Sequence, residues 1–222
     1  MNKKIIISVL VVILIILAIS VYFITKKGTN SNEKQNVQEN AQAEQKEENK
    51  EEKSMYSSGK HHAQIVIKNY GTISLELDAD MAPITVENFA NLVNEGFYDG
   101  LTFHRIISGF MIQGGDPEGN GLGGSDKEIK GEFSANGVKN TISHTRGVIS
   151  MARAQSYNSA SSQFFIMHKD APYLDGSYAA FGHVTEGIEI VDKICEDTKV
   201  EDSNGTVLKE NQPVIEKIVM ID

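Results

Sequence analysis

The stretch Phe103–Gly124, FHRIISGFMIQGGDPEGNGLGG, sets an arginine inside an apolar run and then ends in clustered glycines. Its reading decides the fold. As a strand, LTFHRII places Leu101, Phe103, Arg105 and Ile107 on one face and Thr102, His104 and Ile106 on the other. A cation on a face with Phe and Leu costs free energy unless it is paired or sits at a wet rim. Arg105 is therefore either a paired surface arginine or a functional one. At the other end, Gly119, Gly121 and Gly124 spell GxGxxG. A dinucleotide-binding turn needs a strand before those glycines, a helix beginning at them, and an acid about 20 residues on. Here SDKEIKGEFSANG follows, polar and without a helical apolar stripe. The glycines are read as a loop, not as a nucleotide site.

Outward from this stretch, AQIVIKNYGTISLELDAD reads as strand, turn and strand about Asn69-Tyr70-Gly71. MAPITVENFANLVNEG reads as a helix, with Pro83 in its first turn and Gly96 at its end. Val86, Phe89, Ala90 and Val93 fall on one of its faces. FMIQ, GVISMA, QFFIM, AAFGHV and PVIEKIVMI supply further strands, and Ile188–Cys195 a second short helix. Many short strands, glycine-rich connections and two helices predict a mainly β domain, an antiparallel barrel or sandwich.

The 222-residue chain has net charge −9. Residues 61–222 carry twelve Lys/Arg against twenty-three Asp/Glu, which argues against nucleic acid as partner. The one cysteine, Cys195, belongs to no CxxC or Cys/His spacing and is read as a packing residue. His104 is read as structural, and the His61-His62 pair is not read as a metal site. Ile5 to Thr25 is twenty-one residues without a charge, flanked by lysines, and matches the roughly 20 residues of a membrane-spanning helix. Residues 1–27 are read as an uncleaved signal anchor, with a cleaved signal peptide as the alternative. Residues 28–60, rich in Glu, Gln, Asn, Lys and Ser, are read as a disordered polar tether. The remainder, 61–222, is then expected outside the cytoplasm.

FHRIISGFMIQGGD (103–116), GVISMARA (147–154), SSQFFIM (161–167) and YLDGSYAAFGHV (173–184), in that order and with the TVENF helix, resemble the cyclophilins, peptidyl-prolyl cis–trans isomerases. The resemblance covers about residues 61–222. It implies an eight-stranded antiparallel barrel closed by two α-helices, with a substrate groove on the outer surface. It implies Arg105 as the catalytic arginine and Gln113 as the residue that positions it and the substrate. Phe110, Met111, Phe165 and Leu174 would wall a proline pocket. Ala152, Arg153, Ala154, Gln163, Tyr173 and Tyr178 would complete the groove. Phe164 is assigned to the core. Because strict alternation cannot put Phe110 and Met111 on one face, a bulge or bend is expected near Ser108-Gly109. Tyr173 stands where many members have tryptophan, which bears on cyclosporin binding. Tyr178 replaces a common histidine, Ser108 a frequent proline and Arg153 a frequent asparagine. A rim charge at Arg153 would favour acidic substrates.

The expectation is a monomeric, membrane-anchored bacterial isomerase without cofactor. It would act on proline-containing segments of unfolded or exported proteins. Its rivals are a binding or chaperone module using the same groove without turnover, and a hydrolase using His104 or His144.

Overall fold

The computed structural model describes residues 54–222. The predicted anchor and all but the last residues of the predicted tether lie outside this range. Among the described residues no helix is long and apolar enough to cross a membrane. The packed region begins before His61: Tyr56 is buried in the core, its ring edge-on to His61.

Among the described residues there are eight strands and two α-helices. They are β1 (Lys60–Ile67), β2 (Gly71–Asp78), α1 (Pro83–Asn94), β3 (Thr102–Ile107) and β4 (Met111–Asp116), then β5 (Val148–Met151), β6 (Phe164–Met167), β7 (Ala180–Glu186), α2 (Ile188–Asp197) and β8 (Ile215–Met220). Every strand pair is antiparallel, in the order β3-β4-β6-β5-β7-β2-β1-β8. The sheet curls into a half-barrel. Its two edges are stitched by a Thr102–Val214 bridge and by bonds from Phe103 N–H to Pro213 O (3.0 Å) and Ile215 N–H to Leu101 O (2.8 Å).

β4, β5, β6 and the start of β7 bury side chains on both faces, which is why β6 reads as an unbroken apolar run and β5 as one broken only by Ser150. Ile112, Ile149, Met151, Phe164, Ile166 and Phe181 enter the inner core. Met111, Val148, Phe165, Met167 and Ala180 form a second apolar layer on the other side of the same strands. Phe89 of α1 docks into the inner core against Tyr98, Phe164 and Phe181, at ring distances of 5.3–5.7 Å.

The strict alternation expected for β3 fails between Phe103 and Arg105. Phe103 faces Gly114 and Arg105 faces Gln113, so β3 advances two residues while β4 advances one, and His104 is the extra residue. One step earlier Thr102 faces Asp116 and Phe103 faces Gly114, which makes Gly115 the extra residue of β4. Gly115 takes φ +82°, and a Cβ there would lie 2.6 Å from Ser162 O, so only glycine fits this bulge. As a result Phe103 and Ile106 are core residues while Arg105 lies on the opposite side, with Ile107 in the second layer. The bend expected near Ser108-Gly109 is the turn of the β3–β4 hairpin, closed by Phe110 N–H to Ile107 O (2.9 Å).

The first turn of α1 is capped from a distance. The buried Glu132 carboxylate accepts from Ile84 N–H (3.1 Å), Thr85 N–H (2.8 Å) and Thr85 Oγ1–H (2.7 Å). A carboxylate suits the positive helix end, and removing it strands buried donors. Glu132→Ala is expected to cost about 2 kcal/mol, read as a melting temperature lower by roughly 4–8 °C.

His104, displaced by the bulge, is buried beneath Gly121 with neither ring nitrogen hydrogen-bonded. Burial pushes its pKa down, only partly opposed by the charge of Asp116. Burial also lowers His144, partly opposed by its bond to Asp175. Both histidines are held neutral in the fold and take up protons on unfolding below about pH 6.5. Their stabilising contribution is therefore complete above that pH and declines as pH falls. His104→Phe is expected to shrink the drop in melting temperature between about pH 7 and pH 5. An unchanged drop would place the acid sensitivity elsewhere.

Candidate active site

The outer face of the sheet carries a row fixed by register alone. Arg105 of β3 pairs with Gln113 of β4, Gln113 with Phe165 of β6, and Phe165 with Ser150 of β5. Ile107, Met111 and Met167 form the adjacent row on the same face. These residues are far apart in the chain, yet cross-strand pairing leaves them side by side.

Over the row lies a cavity of about 370 Å³, within the range of small-ligand sites. Arg105, Phe110, Met111, Gln113, Ala152, Arg153, Phe165, Leu174 and Tyr178, all named from the sequence, meet around it. Gln163 and Ala154 line a neighbouring cavity of about 330 Å³ that shares Gln113, Ala152 and Arg153 with the first. Tyr173 lines neither. It is 72 % exposed and stacks on Phe110 with ring centroids 6.1 Å apart.

Polar contacts order one end of the apolar cavity. Arg105 Nη1–H donates to Gln113 Oε1 (3.1 Å), and Gln113 Nε2–H donates to Gln163 Oε1 (2.9 Å). Gln163 Nε2–H in turn donates to the carbonyls of Gly123 (2.7 Å) and Gly121 (3.2 Å). On its other side Arg105 donates from Nε to Asn204 O (2.8 Å) and from Nη2 to Asn204 Oδ1 (3.3 Å). Three of five guanidinium N–H groups are thus engaged, and one remains free on each terminal nitrogen. Burial lowers the Arg105 pKa from its ordinary value, opposed by the neighbouring Tyr178 and Asp202, and the group stays a cation.

The glycine loop forms part of the second cavity through Gly121–Gly124. No helix starts at Gly124. The loop's N–H groups, which a phosphate would require, are taken by Asp116, whose carboxylate accepts from Glu118 (2.8 Å), Asn120 (2.9 Å) and Gly121 (2.6 Å). Burial works to raise the Asp116 pKa, but these donors outweigh it and leave the carboxylate below its ordinary value.

Arg153 is not free at the rim. It donates to the carbonyls of Ser177, Ala154 and Gln155 (3.0–3.3 Å). Its guanidinium carbon lies 4.7 Å from the Tyr178 ring, 5.1 Å from Tyr157 and 5.3 Å from Phe133. The charge is engaged by the wall.

Behind Phe165, His144 stacks on its ring at 6.0 Å. His144 Nδ1 is 2.9 Å from Asp175 Oδ1, and Nε2 is 3.0 Å from Ser150 Oγ. With Asp175 ionised, Nδ1–H donates and Nε2 accepts from the serine. The order is that of a nucleophilic triad, but Ser150 and His144 are fully buried and no substrate can approach the hydroxyl. The chain instead holds the turn bearing Leu174, with Ser143 Oγ–H (2.6 Å) and His144 N–H (2.8 Å) also bonded to Asp175.

Sequence reasoning missed Asn204, Ser159, Ser161 and Glu128 as site neighbours. Asn204-Gly205 carried an Asn-Gly turn signal, but nothing in the chain said that this turn meets β3.

The profile of the family "Cyclophilin type peptidyl-prolyl cis-trans isomerase/CLD" matches residues 62–220. The chain is 44 % identical over 145 residues to peptidyl-prolyl cis-trans isomerase B of Bacillus subtilis, covering 65 % of this chain and 92 % of that one. It is 48 % identical over 128 residues to a peptidyl-prolyl cis-trans isomerase of Helicobacter pylori, covering 57 % and 76 %. A crystal structure of a Cryptosporidium parvum cyclophilin-type isomerase, determined in the presence of the dipeptide Ala-Pro, superposes with TM-score 0.64 at 32 % identity, covering 72 % of this chain and 99 % of that one. The described residues carry an eight-stranded antiparallel sheet, two α-helices and the Arg105–Gln113 row, and the chain belongs to the cyclophilin-type peptidyl-prolyl cis–trans isomerase family.

Proposed function

We propose that the domain isomerises Xaa-Pro bonds in segments of unfolded exported proteins, with Arg105 stabilising the twisted peptide. Phe110, Met111, Phe165 and Leu174 would grip the prolyl ring. The observation that carries this reading is the Arg105 guanidinium, braced on two sides with two N–H groups free, at the edge of an apolar cavity.

A peptide C–N bond resists rotation because the nitrogen lone pair is delocalised, giving a barrier of about 18–20 kcal/mol. Both Xaa-Pro isomers are populated but exchange in roughly tens to hundreds of seconds. Midway through the twist the lone pair returns to the prolyl nitrogen, which becomes a hydrogen-bond acceptor only then. A fixed guanidinium donor aimed there binds the transition state more tightly than either ground state, and only such differential binding accelerates the step. A charge-assisted bond contributes about 1.5–3 kcal/mol, or one to two decades of rate. Gln113, itself oriented by Gln163, keeps the donor aimed. The apolar wall holds the ring still while the preceding carbonyl swings. The rotation breaks no covalent bond and moves no proton, so the chemistry requires no cofactor.

Residues 1–27 would anchor the chain, and the polar segment after them would hold the domain outside the cytoplasm. The support is the uncharged apolar run Ile5–Thr25 between lysine pairs. In intact cells, added protease is expected to remove the domain; protection until the membrane is lysed would overturn this topology.

Isomer exchange on an Xaa-Pro peptide, followed by NMR with the full chain, tests the activity. Arg105→Ala is expected to slow catalysed exchange by at least about tenfold with its folded spectrum unchanged. Arg105→Lys, which keeps the charge but loses the fork, should fall nearly as far. Peptide binding without fast exchange in the unsubstituted protein would make this a proline-peptide binder instead.

A further inference from the structure

We propose that Asn204 is a positioning residue for Arg105, and that the Asp202–Gly205 turn exists at this site to present it. The inference rests on the isomerase reading of Arg105. Gln113 holds the guanidinium by one N–H only, at Nη1. With that bond alone the group could still swing about its long side chain. Asn204 removes this freedom by two contacts from a single residue, its backbone O to Nε (2.8 Å) and its Oδ1 to Nη2 (3.3 Å). Gln113 and Asn204 thus act from opposite sides. Together they leave only the two N–H groups available to a substrate.

The turn is built to stay where it is. Asp202 accepts from Asn204 N–H (2.9 Å), Thr206 N–H (3.1 Å) and Thr206 Oγ1–H (3.0 Å). Glu201 N–H donates to Thr206 O (2.8 Å), closing the loop's neck. The turn is also paired to the outer edge of β3, beyond the stretch that meets residues 213–215. Ile106 N–H donates to Gly205 O (2.8 Å), Val207 N–H donates to His104 O (3.1 Å), and Arg105 and Thr206 form a bridge. Gly205 has φ +80°, and a Cβ there would fall 2.3 Å from Ile106 O. The segment that flanks the arginine's backbone is therefore the one that fixes its side chain. Ninety-nine residues separate the two in sequence.

The test compares kcat and KM for Xaa-Pro isomerisation by the full chain carrying Asn204→Ala, Asn204→Asp, Asp202→Ala or Arg105→Ala. Asn204→Ala loses Oδ1 but keeps the backbone acceptor, and kcat is expected to fall roughly three- to tenfold with KM within about twofold. Asn204→Asp keeps an acceptor oxygen at the same reach and should restore kcat to within about twofold. Asp202→Ala frees the turn and both acceptors, and its kcat loss should exceed that of Asn204→Ala. The Arg105 Nε–H resonance supplies a readout independent of turnover. It should stay sharp in Asn204→Ala and broaden in Asp202→Ala. Unchanged kcat in both Asn204→Ala and Asp202→Ala, with Arg105→Ala inactive, would overturn the positioning role and leave the isomerase reading intact. A rise in KM without loss of kcat would overturn it too, by making Asn204 a substrate contact. Full activity in Arg105→Ala would instead remove the reading on which the inference stands.

Discussion

A β-strand can hold Phe103 in the core and Arg105 against a groove only if its two-residue period is broken between them. The paired irregularities at Gly115 and His104 make that break. Without it, the register that buries Phe103 would turn Arg105 into the apolar core, where an unpartnered cation costs several kcal/mol. Everything on the outer face then follows from register. Gln113, Phe165 and Ser150 are the residues that successive strands bring opposite Arg105. The break also displaces His104 into a pocket with no hydrogen-bond partner, a local cost tied to the same shift.

A second demand is that the strands from β4 to the start of β7 bury side chains on both faces. The inner face completes the core around Phe89 and Phe164, and the outer face supplies the floor of the groove. A site floored by strands is stiffer than one made of loops alone. Around it the polar contacts form a continuous line, from the glycine-loop carbonyls through Gln163 and Gln113 to Arg105 and on to Asn204. Gly121, one of the three glycines that imitate a nucleotide motif, serves with the nearby Gly123 as an acceptor at the end of that line.

Both helices and the β1–β2 hairpin were legible from periodicity and stop signals, such as Val86, Phe89, Ala90 and Val93 ending at Gly96, and β5 and β6 as short apolar runs bounded by turn residues. The site residues within FHRIISGFMIQ and SSQFFIM were legible through resemblance, since nothing in their spacing says that Gln113 and Phe165 lie opposite one another. Three features escaped. The bulge at His104 could not be placed, because alternation cannot tell which residue is the extra one. Tyr56 looked like part of a polar tether, because one aromatic among serines and lysines gives no pattern, yet its ring finds a place beside His61. Asn204 contacts Arg105 only through tertiary pairing of its turn with the β3 edge, which no local signal announces.

Burial on both faces has a consequence for how such a protein can diversify. A substitution in β5 or β6 disturbs either the core or the groove floor, so these strands tolerate little beyond volume-conserving apolar exchange. The positions open to change are those at or beside the groove that rest on little else. Leu122 on the glycine loop is 87 % exposed, and Tyr173 on its turn meets only Phe110 among the aromatic rings. New client preferences can therefore accumulate at the rim by single steps, each nearly neutral for folding. The Arg105–Gln113 row beneath them is untouched by such changes.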